Sequence, residues 1–133
     1  MFIIKNNRKN EIKVMLCSCE DIINSNEFFK ELQELGENLR KDDLLNNLLI
    51  FLSALGNKER FIIFTSLKEN DRCVCELEVI LKKSQSSISH HLRKLVVAGL
   101  IQGYKKQKFT YYHLFQEELV KNLDILKQAL HHI

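Results

Sequence analysis

The spacing of apolar residues changes character at Gly99, and that change limits the folds open to the chain. Upstream, apolar side chains recur at three- and four-residue steps. Downstream comes a run rich in β-formers, and then helical spacing returns. Proline is absent from the 133 residues and glycine occurs only four times, so the helical stretches run with little interruption. The expected fold class is mainly α with one small β-hairpin.

Residues 1–16 have no clean period and read as an arm. The expected division is an N-terminal arm over 1–19 and a globular unit over 20–133. Ile22, Ile23, Phe28, Phe29, Leu32, Leu35 and Leu39 predict a helix over 20–40, and Leu44, Leu45, Leu48, Leu49, Phe51 and Leu52 one over 42–55. Gly56 stops that helix and Asn57 caps the next, over 57–68, with Phe61, Ile62, Phe64 and Leu67 inward. Asn70-Asp71-Arg72 reads as a turn. A short helix over 74–82 follows, then a helix over 85–98 capped by Ser84 and ended by Gly99. Strands over 100–105 and 109–114 form the hairpin, and Leu119, Leu123, Leu126 and Leu130 predict a last helix over 116–131.

Short helix, tight turn, longer helix and hairpin together make a winged helix-turn-helix. Its second helix must bury one side and present the other to a DNA groove. Ile88, Leu92, Leu95 and Val96 supply the buried stripe. The net charge is only +3, but residues 82–108 hold Lys82, Lys83, Arg93, Lys94, Lys105, Lys106 and Lys108 with no Asp or Glu. A basic stretch of that length suits a phosphate-facing surface. The candidate DNA contacts are Ser84, Gln85, Ser86, Ser87, Ser89, His90, Arg93 and Lys94, with Lys105, Lys106 and Lys108 on the hairpin. Gln85 and Arg93 are types that make bidentate base contacts. The hairpin lysines would touch backbone and set position. The expected partner is double-stranded operator DNA.

The four cysteines form two C-x-C pairs, Cys17/Cys19 and Cys73/Cys75. In extended backbone such a pair sends both sulfurs to one side, and on a regular helix they diverge. Cys73 and Cys75 therefore fit an irregular helix start, where the positive end of the helix dipole favours thiolate. Two thiolates leave a tetrahedral soft ion incomplete, and Cys17 and Cys19 offer two more. The expected ligand set is Cys73, Cys75, Cys17 and Cys19, holding a thiophilic ion such as Cd, Pb, Zn or As(III). Thiol oxidation in place of metal binding, and a zinc-stabilised interaction module without DNA binding, are the competing readings. No cysteine has an evident base at triad spacing, so an enzyme is not expected. No apolar run approaches the ~20 residues of a membrane span, and the first residues reverse the order of a secretory signal. The expected compartment is the reducing cytoplasm, where thiols stay free.

Three segments carry a family resemblance. Leu55 to Phe64 (LGNKERFIIF), Cys73 to Leu77 (CVCEL) and Ser84 to Ile101 (SQSSISHHLRKLVVAGLI) resemble the corresponding helices of the ArsR/SmtB metal-responsive repressors. The likeness covers residues 42–130. It implies a homodimeric winged-helix repressor, its first and last helices forming the dimer interface, that leaves operator DNA when metal binds. The cadmium/lead-responsive members combine cysteines of an N-terminal arm with the later pair, and this chain is similar. Arsenic-responsive members often add a cysteine three residues after the pair, where Glu78 stands here. The last-helix site of the zinc-responsive type is not reproduced by Gln116, Glu118, His131 and His132.

Overall fold

The computed structural model describes residues 6–17, the last by its backbone alone, and 24–131. They fall into two units divided between Asp43 and Leu44. The first holds α1 (Asn6–Cys17) and α2 (Ser25–Lys41). The N-terminal stretch expected to be irregular is thus helical. Its sequence is polar nearly all round, so no stripe announces it, but an Arg8–Glu11 pair at 2.9 Å spans one of its turns. The α2 helix starts at Asn24, whose side chain accepts from the Asn26 and Glu27 amides. Phe29 is buried, with the Lys9 and Lys13 ammonium groups each 5.3 Å from its ring centre.

The second unit begins within α3 (Asp43–Leu55) and continues through α4 (Lys58–Glu69), β1 (Arg72–Cys73), α5 (Val74–Leu81), α6 (Gln85–Val97), β2 (Ile101–Lys106), β3 (Phe109–Leu114) and α7 (Gln116–Ala129). Its core is one cluster: Leu48, Phe51 and Ala54 of α3, Ile63 and Leu67 of α4, Leu77 of α5, Ile88, Leu92 and Leu95 of α6, and Leu100 and Ile101. Each large side chain so buried contributes about 1.5–3 kcal/mol relative to exposure. On α4 the inward stripe is Arg60, Ile63, Phe64 and Leu67, so Ile63 is buried where Phe61 and Ile62 were expected.

Two backbone devices fix the reading helix. Lys82 ends α5 in the left-handed region, φ 53°, and so turns the chain into α6. At the far end Gly99 takes φ 73°, its amide bonding to the Val96 carbonyl while the Leu100 amide reaches the Leu95 carbonyl. This paired closure satisfies the last free carbonyls and drops Leu100 into the core.

The sheet is antiparallel with order β1-β3-β2. The β2–β3 hairpin is the expected wing, with Tyr104 opposite Tyr111 and their rings stacked at 6.0 Å. Strand β1 was not expected. It pairs Arg72 with Tyr112 and Cys73 with Tyr111. Among the described residues no helix is long and apolar enough to cross a membrane.

Candidate nucleic-acid interface and cysteine site

Helix α6 docks on the core through Ile88, His91, Leu92 and Leu95, all buried. Val96, expected on that stripe, is 44% exposed. It lies about 100° round the helix from Leu95, and His91 takes the inward place. Gln85, Ser86, His90, Arg93 and Lys94 are exposed on the other face, with Ser87 and Ser89 half-buried. Ser84 caps the helix: its hydroxyl accepts the Ser87 amide at 3.3 Å and lies 3.1 Å from the Ser86 hydroxyl. Partial desolvation, and then nearby positive charge, Lys94 foremost, hold the His90 imidazole below its ordinary range. An outward His90 that stays neutral offers one donor and one acceptor.

On the wing, Lys105, Lys106 and Lys108 are exposed, and Lys106 Nζ sits 5.6 Å from the Tyr111 ring centre. Gln107 makes the turn with φ 57°. The hairpin thus presents its lysines at its exposed end, away from Ile101 in the core.

Cys73 belongs to two elements at once. It is the last residue of β1 and the N-cap of α5, with extended backbone at φ −85° and ψ 167°. Cys75 lies in the first turn of α5. One residue extended and its neighbour helical is the irregular start the spacing called for, and the sulfurs converge to 2.6 Å. Cys73 is buried and Cys75 exposed, both as free cysteines. Glu76 closes the helix start, accepting the Cys73 amide at 3.2 Å and pairing with Arg72 at 3.4 Å. The Cys73 amide is the main reason the Glu76 carboxyl lies below the usual range. Burial, with the Cys75 thiol adding in the same direction, pushes the Cys73 thiol up. The helix dipole therefore does not yield a ready thiolate at Cys73, because desolvation wins. Among the described residues no group of three or more His, Cys, Asp or Glu side chains is arranged to hold a metal. The Cys17 side chain and Cys19 lie outside the described residues.

Among the inward polar residues, which also include Asn122 on α7, Arg60 was not foreseen. Arg60 on α4 and His91 on α6 are each 8% exposed and meet through a hydrogen bond. Their places at i in 60-63-64-67 and at i+3 in 88-91-92-95 are the signal that marks them.

A short helix, a left-handed turn, a docked helix with a polar outer face and a basic hairpin define a winged helix-turn-helix DNA-binding regulator. Comparison with known proteins gives the family. The profile described as "Bacterial regulatory protein, arsR family" matches residues 57–102. An uncharacterized HTH-type transcriptional regulator of Methanocaldococcus jannaschii is 36% identical over 77 residues, covering 55% of this chain and 86% of that one. A putative arsenical resistance operon repressor of Halobacterium salinarum is 34% identical over 94 residues, covering 68% of this chain and 78% of that one. The solved structure of HlyU from Vibrio cholerae superposes with a TM-score of 0.56 at 28% identity, covering 67% of this chain and 97% of that one. The chain belongs to the ArsR family of transcriptional regulators.

Proposed function

We propose that this regulator is a homodimeric cytoplasmic repressor. It holds operator DNA through α6 and the wing, and lets go when a thiophilic ion binds Cys73 and Cys75 together with Cys17 and Cys19. The observation that carries the reading is the double membership of Cys73. It caps the first helix of the helix-turn-helix and pairs with Tyr111 of the wing, so a ligand there bears directly on the wing and, through α5, on the reading helix α6. The donor chemistry fits a soft ion, since two sulfurs converge and one of them is exposed. Cys17 and Cys19 would complete the set. Similarity to an arsenical resistance operon repressor supports a thiophilic effector. Exposed Val120 and Leu123 on α7, with Leu130 at its C-cap, support a dimer interface there.

The chain's own part is to release thiol protons, converge the sulfurs and pass the strain to β1 and α5. For release, the ion must bind the DNA-incompetent form more tightly, and DNA then weakens ion binding by the same factor, worth about 1–3 kcal/mol. DNA affinity of the wild type and of Cys73→Ser/Cys75→Ser, each with and without Cd²⁺, tests this. Weakening by Cd²⁺ in the wild type alone is expected, and four equal affinities would refute the sensor while leaving DNA binding intact. The same sulfur convergence favours a second reading, in which an oxidant joins Cys73 to Cys75. Peroxide-dependent release with no response to Cd²⁺ would select it.

A further inference from the structure

The buried Arg60 and His91 anchor a polar chain that runs through the reading motif. Arg60 Nε donates to the Ala54 carbonyl at 2.7 Å and Nη2 to the Ser53 carbonyl at 3.2 Å, both in the last turn of α3. Arg60 Nη1 lies 3.3 Å from His91 Nδ1. A guanidinium only donates, so His91 Nδ1 must carry the lone pair and Nε2 the proton. Nε2 in turn lies 2.6 Å from Glu59 Oε2. The other Glu59 oxygen is 3.2 Å from Lys83 Nζ, one residue ahead of the Ser84 cap of α6. The Glu59 carboxyl is held below its ordinary range, first by His91 and then by Lys83.

The apolar contacts of Ile88, Leu92 and Leu95 hold α6 against the core, but they are not directional. A helix held only by them rotates or slides at small cost. Hydrogen bonds weaken steeply with misalignment and so set an angle. His91 supplies two such bonds from the middle of α6, with His90 adjacent and Arg93 two positions on. A rotation that spoiled both bonds would also carry those side chains off the base edges. Burial of an arginine costs desolvation and is weak evidence of stabilisation, whereas fixing one arrangement is a role for which buried polar groups are known.

We propose that His91 is a positioning residue for DNA reading, its ring locking the rotation of α6 between Arg60 and Glu59 so that Gln85, His90 and Arg93 meet base edges in register. This rests on the DNA-reading role proposed above. Phosphate contacts from exposed lysines tolerate small rotations, but base contacts do not. Loss of the lock is therefore a loss of sequence discrimination before it is a loss of affinity.

The test uses duplexes enriched by the wild-type protein from a randomised pool, beside an unrelated duplex of equal length. Binding is measured at a temperature where each variant is folded by circular dichroism. For His91→Leu the ratio of enriched to unrelated affinity is expected to fall roughly tenfold, about what one mismatched base pair costs, with unrelated-duplex affinity unchanged. His91→Gln, which accepts from Arg60 and donates to Glu59, is expected to restore most of the ratio. An unchanged ratio in His91→Leu, or an equal loss on both duplexes, overturns the proposal. Should His91→Leu not fold, Glu59→Ala at its half-buried site removes the acceptor of Nε2. Loss of one negative charge raises both affinities alike, so the ratio still reads the lock, and an unchanged ratio again overturns it. A folded wild type that enriches no sequence would instead overturn the DNA-reading role itself.

Discussion

Tyr104 donates its phenol to Asp71 Oδ2 at 2.6 Å. Asp71 directly precedes the β1 pair Arg72-Cys73, so this bond ties wing strand β2 to the turn that delivers the cysteines. Asp71 also pushes the Tyr104 phenol above its ordinary range, which keeps the donor proton in place at neutral pH. The bond is exposed, so its effect is modest. Tyr104→Phe is expected to shrink the Cd²⁺-induced change in DNA affinity by roughly two- to fivefold, with ion-free DNA affinity little changed. Fluorescence anisotropy with and without Cd²⁺ checks it.

Lys82 holds a left-handed conformation that glycine adopts at little cost. Its side chain is exposed and has no place in the core. Lys82→Gly is expected to stabilise the fold by about 0.5–1 kcal/mol, the relieved strain exceeding the extra chain entropy. Urea midpoints at constant slope measure the gain, and a lower midpoint would contradict it.

The two thiols of the inner pair differ in reach, Cys75 being exposed and Cys73 buried with its thiol pushed up. Iodoacetamide is expected to modify Cys75 well before Cys73, as read by peptide mass mapping. Ion binding displaces thiol protons, so Cd²⁺ affinity should climb with pH, about tenfold per unit for each proton released. For the ion-free fold the sign is opposite. A thiol whose folded pKa is raised binds more protons when folded, so stability is full below the ordinary thiol range and falls as pH rises through it. Glu76, held low, adds stability above the ordinary carboxyl range that is lost as pH falls.

Lys105, Lys106 and Lys108 are exposed at the wing. Replacing all three with alanine is expected to weaken binding about equally on every duplex. It should also lower the salt dependence of log affinity by up to about one per lost phosphate contact. A change in sequence preference instead would move these lysines from positioning to reading.

The helices of the second unit, the wing and the motif were legible because each depends on a repeat that a linear sequence displays. Ile88-Leu92-Leu95, the Ser84 cap and the Gly99 stop each carry their signal locally. Three features escaped for physical reasons. Strand β1 is two residues long, too short to show alternation, and it exists because β3 offers a free edge. Arg60 looks outward by residue type and turns inward because the Ser53 and Ala54 carbonyls satisfy it. Helix α1 lacks an apolar face. The cysteine spacing did announce convergent sulfurs, but not that burial would keep Cys73 protonated.

In the proposed sensor, the brevity of β1 would set how strongly the molecule responds. Two residue pairs join it to the wing, and backbone hydrogen bonds net about 1 kcal/mol each. Peeling such a strand away is comparable in energy to one modest regulatory event. A longer strand would be deaf to any but the tightest ligand, and with none the Tyr104–Asp71 bond would be left to carry the message to the wing. At two residues, the sheet's margin would give the proposed sensor a threshold near the strength of the signal it has to hear.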